Sequence, residues 1–240
     1  MSYLEKYLKY KTKYMILKSQ TGGDLNCDEM KIIFNVMDSN NDGNITEAEF
    51  LEFFMVADSD NSKSVSLNEL QSYLNKLLSD LFQLIKHFSG SKEESISTTN
   101  LDLIFSKMDK SGDGKINSLE FGQACNSAQI SNTQNITRLF NFLDTSSIIG
   151  IERDRFDNVI KALIIASDTN KDKSVSKTEF VAKINSIASD IFKAFDSNKD
   201  GDITEAELKT AFKNFSGQDL QLSKDEFVNM MKSVSNCNKM

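Results

Sequence analysis

From Asp38 to Glu49 the chain carries oxygen on alternate side chains, Asp38, Asn40 and Asp42, turns at Gly43, and ends on a glutamate at the twelfth position. Carboxylates and amides spaced by two around a tight turn face a common point. The carbonyl of Asn44 at position 7 adds another oxygen, Thr46 at position 9 holds a water, and Glu49, one turn into the next helix, closes the shell with both carboxylate oxygens. Such a shell suits a hard divalent cation such as calcium, which takes six to eight oxygens at about 2.3–2.6 Å. Gly43 is the residue type that accepts the left-handed backbone of so tight a turn.

The pattern recurs four times. Loop 58–69 offers Asp58, Asp60, Ser62, Ser64 and Glu69, and loop 109–120 offers Asp109, Ser111, Asp113, Lys115 and Glu120. Loop 168–179 offers Asp168, Asn170, Asp172, Ser174 and Glu179, and loop 196–207 offers Asp196, Asn198, Asp200, Asp202 and Glu207. Ser64, Lys115, Ser174 and Asp202 stand at position 7 and contribute carbonyls. Three further stretches keep the frame and lose the donors. Frame 89–100 retains Ile96 at position 8 but ends on Asn100, and frame 144–155 has Ile148 at position 5 and Arg155 at position 12. Frame 215–226 keeps Leu222 and Glu226 but has Phe215 and Gly217 in place of two donors. All three are expected to take no ion.

Helices must position these loops. Counting back 1, 4, 5 and 8 residues from position 1 gives Met37, Phe34, Ile33 and Met30 for the first loop and Met108, Phe105, Ile104 and Leu101 for loop 109–120. Frames 89–100 and 144–155 give Phe88, Ile85, Leu84, Leu81 and Leu143, Phe140, Leu139, Ile136, which are core stripes at helical period. Frame 215–226 is poorer, with Asn214, Ala211, Thr210 and Glu207. There is no proline, and 240 residues suffice for a real core. The expected fold class is all-α, an array of helix–loop–helix units with short antiparallel bridges between paired loops.

The eight frames start at 38, 58, 89 and 109, then at 144, 168, 196 and 215, so counterparts lie 106, 110, 107 and 106 residues apart. That is a tandem duplication, with halves 24–128 and 129–240 and a polar seam near Asn126–Gln134. The first two loops start only 20 residues apart, so one short helix leaves the first and enters the second, holding them at its opposite ends. The expected pairing within each half is therefore second frame with third and first with fourth. Val65 would face Ile96, Val175 would face Ile203, and Ile45 would face Ile116. The alternative pairs Ile116 with Ile151 across the seam.

From Asp24 onward these loops and stripes resemble the EF-hand superfamily, of the calmodulin and sarcoplasmic calcium-binding kind. The resemblance implies calcium binding at about five sites. Two loops depart from it at position 6, where Lys63 and Lys173 replace glycine; a left-handed residue with a Cβ costs about 1–2 kcal/mol, which would weaken those two sites. Met30, Met37, Met55, Met108, Met230 and Met231 suit a calcium sensor or adaptor that opens a flexible apolar groove for a protein target. Core filling explains the same methionines, so a calcium buffer and a calcium-stabilised structural virion component remain as alternatives. No enzyme is indicated: His87 is the single histidine, and there is no Cys–His cluster, nucleophile elbow or phosphate loop.

Residues 1–23 form a different kind of segment. Tyr3, Tyr7, Tyr10, Tyr14 and Leu17 recur at helical spacing opposite lysines, and five lysines against Glu5 within the first twenty residues give +4. The chain's formal −7 thus leaves −11 for the remainder, which favours cations over nucleic acid as partners. Such a leader helix fits an anionic membrane, a partner protein or the acidic body of its own chain. The string Tyr7-Leu8-Lys9-Tyr10-Lys11, then Lys13-Tyr14, Leu17-Lys18, Gln20 and Gly22-Gly23, resembles an N-terminal motif of giant DNA virus proteins of the mimivirus kind. That resemblance implies a sorting or packaging tag with a virion protein as partner; Gly22-Gly23 is either a cut site after Gly23 or a simple hinge, and glycine pairs favour the hinge. The leader lacks the apolar core of a secretory signal, no run is long enough to span a bilayer, and Cys27, Cys125 and Cys237 suggest reduced thiols. An intracellular, cytoplasmic location, with virion association, is expected.

Overall fold

The computed structural model describes residues 27–40, 42–90, 95–97, 101–144, 150–216 and 219–234. The leader 1–23, Asn100, Ile148, Gly217 and Cys237 lie outside these described residues. The element order is α1 (Cys27–Met37), β1 (Asn44–Thr46), α2 (Glu47–Met55), β2 (Ser64–Ser66), α3 (Leu67–Ser89), β3 (Ser95–Ser97), α4 (Leu101–Met108), β4 (Lys115–Ile116) and α5 (Ser118–Ser127). It continues with α6 (Thr133–Leu143), β5 (Ile151–Glu152), α7 (Arg153–Ser167), β6 (Ser174–Ser176), α8 (Lys177–Phe195), β7 (Asp202–Thr204), α9 (Glu205–Phe215), β8 (Gln221–Ser223) and α10 (Lys224–Val234). The architecture is helical, and among the described residues the strands form only two-stranded antiparallel bridges. No helix among the described residues is long and apolar enough to cross a membrane.

The residues that start the helices are the same ones that close the loops. At the head of α2, α3, α5, α8 and α9, the residue at position 9 (Thr46, Ser66, Asn117, Ser176, Thr204) accepts from the backbone N–H at position 12. The position-12 glutamate returns a bond to the N–H at position 9, completing a capping box. Helices α2, α3, α4, α7, α8 and α9 each leave one frame and enter the next, as expected for α2. Only the step from 109–120 to 144–155 uses two helices, α5 and α6.

The bridges correct the expected pairing. Val65 faces Ile203 instead of Ile96, Val175 faces Ile96 instead of Ile203, and Ile45 faces Leu222 instead of Ile116. Ile116 pairs with Ile151, the alternative considered for that residue. The cause is helix length. α3 runs unbroken for 23 residues, about 35 Å at 1.5 Å per residue, so it holds Val65 and Ile96 at opposite ends. Leu70, Leu74, Leu77, Leu78, Leu81, Leu84 and Ile85 make one continuous buried stripe along it, and the helix stops at Gly90 with left-handed backbone (φ +70°). α8, with 19 residues, separates Val175 from Ile203 in the same way.

The pairing rule survives in exchanged form. Second frames pair with third frames and first with fourth, but each takes its partner from the other half. Exchanging the halves maps the Ile45–Leu222 bridge onto Ile151–Ile116 and the Val65–Ile203 bridge onto Val175–Ile96, so the chain has the connectivity of an intertwined dimer fused head to tail. The pseudo-two-fold axis passes between α3 and α8. There Asn75 donates to Asn185 at 2.7 Å, and these two are duplication counterparts 110 residues apart. Gln71 against Ser189 and Phe82 against Phe180 show that the two helices run antiparallel. Aromatic contacts join the halves throughout the core: Phe50 and Phe54 of α2 meet Phe195 of α8 at 5.3 and 5.2 Å, Phe34 meets Phe227, and Phe105 meets Phe156. Met30, Met37, Met108, Met230 and Met231 are buried, while Met55 is exposed. Cys125 is a buried thiol, pushed up to about 12 by burial with the Asp80 charge adding to it.

Candidate metal centres

Each complete loop is drawn closed by its first and last acids. The position-1 carboxylate accepts from backbone N–H groups further round the turn: Asp38 from Asp42 and Gly43, Asp58 from Ser62 and Lys63, Asp109 from Gly112 and Gly114, Asp168 from Asp172 and Lys173, and Asp196 from Gly201. The position-5 acid then accepts from the N–H at position 7, as Asp42 does from Asn44 (2.9 Å), Asp113 from Lys115 (2.9 Å), Asp172 from Ser174 (2.8 Å) and Asp200 from Asp202 (3.0 Å). Ser62, the one hydroxyl at position 5, bonds to Ser64. Asn40, Asn170 and Asn198 at position 3 accept from the N–H at position 5, while Ser111 reaches Asp109.

The glutamates at position 12 span each loop. One oxygen of Glu49 accepts from Ser39 and Asn40 and the other from Thr46; Glu69 bonds to Ser59 and Ser66, Glu120 to Ser111 and Asn117, Glu179 to Thr169 and Ser176, and Glu207 to Ser197, Asn198 and Thr204. In Glu69, Glu120, Glu179 and Glu207 these bonds hold the carboxyl below the ordinary glutamate value. The N–H of Ser66, against a smaller opposing effect of burial, holds Glu69 down at about 2. Burial would raise Glu207, but the bonds from Thr204, Ser197 and Asn198 outweigh it and leave it at about 2. Asp38 goes the other way: burial lifts it to about 6, opposed by the N–H groups of Gly43 and Asp42 and reinforced by the charges of Glu49 and Asp42. It is only 3% exposed.

Two observations test whether the donors suit a cation. One oxygen from each of Asp58, Asp60 and Glu69 lies within 4.8 Å of the others, close enough for the three to share one cation. Asp196 Oδ1 is a buried carboxylate oxygen with no hydrogen-bond partner, an acceptor left for some other donor or a cation. Both fit a hard cation. Asn44, Ser64, Lys115, Ser174 and Asp202 all stand on bridge strands, so the position-7 carbonyls belong to the segments that join loops in pairs.

Some of the machinery was missed by the spacing argument. Position 6 is left-handed as expected, at Gly43, Gly114 and Gly201 and at Lys63 (φ +68°) and Lys173 (φ +67°) alike, but position 4 is left-handed too, at Asn61, Gly112, Lys171 and Lys199. The hydroxyls of Ser39, Ser59, Thr169 and Ser197 at position 2 tie down the closing glutamates, and their recurrence at one position was the available signal. The Asn141 amide on α6 donates to the Ser39 carbonyl at 2.5 Å, a contact that no local pattern announces.

A helical array whose acid-lined loops are joined back to back by short bridges defines a class of ion-binding protein. Family profiles agree: an EF-hand domain pair matches residues 51–125, an EF-hand domain matches 188–217, and an EF-hand domain pair matches 14–56. The chain carries EF-hand domains, and calcium is the ion such domains bind. These matches take in loops 38–49, 58–69, 109–120 and 196–207; loop 168–179 and frame 144–155 fall outside them. No curated protein matches the chain.

Proposed function

We propose that this protein is a calcium sensor or adaptor with five calcium sites, loops 38–49, 58–69, 109–120, 168–179 and 196–207. The placement of two methionines carries the sensor reading. Met37 and Met108 are fully buried and immediately precede Asp38 and Asp109, so any shift of those acids toward an ion pulls on helices whose apolar faces are sealed in the core. Five ions add +10 to a formal −7, which turns the chain's sign to +3 and changes the surfaces it favours. The basic leader supplies a separate address for an anionic membrane or a virion protein.

Calorimetric calcium titration in parallel with an apolar fluorescent dye tests this reading. Five ions bound with a rise in dye fluorescence is the expected result. Five ions with unchanged fluorescence would make the protein a buffer. Melting on chelation with no calcium-dependent partner would make the ion structural.

A further inference from the structure

Loop 38–49 is gripped from outside by the other half of the chain. Three polar side chains of α6, Asn135, Arg138 and Asn141, follow one another at intervals of three and form a ridge along one side of the helix. Each of them bonds to the first half. Asn135, which is buried, donates to Asp80 Oδ2 on α3 at 2.9 Å. The Arg138 guanidinium pairs with Glu52 on α2 at 3.4 Å and lies 5.8 Å from the centre of the Tyr73 ring on α3. The Asn141 amide donates to the carbonyl of Ser39, the second residue of the loop. That carbonyl shares a planar peptide unit with the N–H of Asn40, which donates to Glu49 Oε1 at 3.2 Å. One rigid unit therefore joins Asn141 to the closing glutamate, while Arg138 holds Glu52, three residues further along the helix that carries that glutamate.

We propose that the polar ridge of α6 is a positioning element for calcium at loop 38–49: Asn141 fixes the peptide that faces Glu49, Arg138 fixes the helix that bears it, and the second half of the chain thereby sets the affinity of a site in the first. The proposal rests on loop 38–49 being a calcium site. Ser39 is the point at which the grip acts. Its own N–H and hydroxyl also reach Glu49 Oε1, at 3.1 and 3.2 Å, so a shift of Ser39 disturbs three of the bonds that hold the carboxylate. The other loops make the contrast. Among the described residues, the side-chain hydrogen bonds of Ser59, Thr169 and Ser197 at the same position run to their own closing glutamates and stay within the loop. The duplication does not repeat the ridge either: the counterparts 106 residues earlier, on α1, are Glu29, Ile32 and Asn35, so the arginine stands on one side of the pseudo-two-fold axis only.

The test uses the full chain. Calcium is titrated calorimetrically into the wild type, N141L, N141S, R138M, R138K, L139V and E49Q, and amide hydrogen exchange is followed in chelator. E49Q is expected to remove one site, which identifies it. N141L, close to asparagine in size but without a donor, should weaken that site about fivefold, the worth of one hydrogen bond, and leave the other four unchanged. N141S, too short to reach the carbonyl, should do the same and serves if N141L does not fold. R138M should weaken the site about twofold, the size of a part-exposed ion pair, and R138K should restore most of that. In chelator, N141L should quicken exchange at Ser39 and Asn40 but not at Ser59. L139V thins the buried packing of α6 and leaves the ridge whole, so it should lower the melting temperature without changing the site's affinity. The proposal is overturned if both Asn141 variants bind like the wild type, if all five sites weaken alike, or if L139V weakens the site as much as N141L. If E49Q removes no site, the calcium reading of loop 38–49 itself fails; unchanged exchange at Ser39 and Asn40 in N141L would instead sink the grip of α6 alone.

Discussion

The bridges Val65–Ile203 and Ile116–Ile151 are both antiparallel, of three and two residue pairs, and have unlike neighbours. The first joins two complete loops, 58–69 and 196–207; the second joins a complete loop to an arginine-bearing frame. Ile45–Leu222 and Ile96–Val175 likewise join one complete loop to one incomplete frame. Among the bridges of the described residues, Val65–Ile203 alone joins two complete loops, so on the proposed occupancy it is the one that can carry a message from ion to ion. In it Ser64 lies opposite Thr204 and Ser66 opposite Asp202, so the position-7 carbonyl of each loop is set beside the position-9 cap of the other. The comparison teaches that bridges of one antiparallel kind differ in what they can couple, according to the donors the partner loop keeps.

The largest expected effect breaks that symmetry directly. Glu69→Gln removes the closing carboxylate of loop 58–69 and should also weaken loop 196–207 about tenfold; Glu207→Gln should weaken loop 58–69 by the same factor, because coupling between sites is reciprocal. Glu49→Gln, Glu120→Gln and Glu179→Gln should each delete one site and leave the others unmoved. Calorimetry on the five variants measures both statements, and unequal losses at 58–69 and 196–207 would refute the coupled pair.

Loop 38–49 contrasts with 58–69 in how it meets protons. Asp38 is lifted to about 6 by burial, so the ion-free fold is favoured by protonation: that contribution is full below the ordinary carboxylate value and is lost as pH rises through 6. Calcium must displace this proton, and the apparent affinity of loop 38–49 should fall about tenfold for each pH unit below 6. Glu69 and Glu207, held at about 2, contribute in the opposite sense: their stabilisation is present above the ordinary glutamate value and is lost only as pH falls toward 2. Titrations at pH 7, 6 and 5 should therefore single out the site that Glu49→Gln deletes. A loss shared equally among all sites would contradict the assignment.

Much of the site was legible in the sequence, and the pairing was not. The spacing of donors from Asp38 to Glu49 is local, as are the capping boxes and apolar stripes, so short-range physics suffices to read them. Pairing is a long-range choice among eight β-branched or leucine residues at position 8, from Ile45 to Leu222, and none of them carries an address. The clue that was passed over lay between the loops. One shared helix separates loops 38–49 and 58–69, and the longer unbroken stripe Leu70–Ile85 separates Val65 from Ile96 in the same way, which excludes a Val65–Ile96 bridge. The Asn75–Asn185 contact depends on the exchange of halves and is invisible to any local reading.

That contact also allows a test of the two ends against each other. Asn75→Ala leaves the half-buried Asn185 amide without its donor, at a cost of about 1–2 kcal/mol and a fall of a few degrees in melting temperature. Because Asn75 sits on the axis, both bridges flanking α3 and α8 should loosen together, and hydrogen exchange should quicken alike at Val65 and Val175. A response confined to one end would argue against the pseudo-two-fold arrangement.

The smallest effect concerns the backbone at position 6. Lys63 and Lys173 hold left-handed φ values of +68° and +67° where loops 38–49, 109–120 and 196–207 use glycine. Glycine adopts that region freely but has more freedom to lose on folding, so the gain from Lys63→Gly is the strain relieved less the entropy forfeited, about 0.5–1 kcal/mol. Lys63 N–H donates to Asp58, a bond that glycine retains, so no ligand contact is lost with the side chain. Lys63→Gly and Lys173→Gly should each raise the melting temperature by one to a few degrees, roughly, and tighten calcium at their own loops by at most about fivefold. Tightening by Lys63→Gly should appear in part at loop 196–207 as well, since that loop shares its bridge. Tightening by Lys173→Gly should stay where it is made, because the frame across from it, 89–100, has no closing glutamate to pass it to.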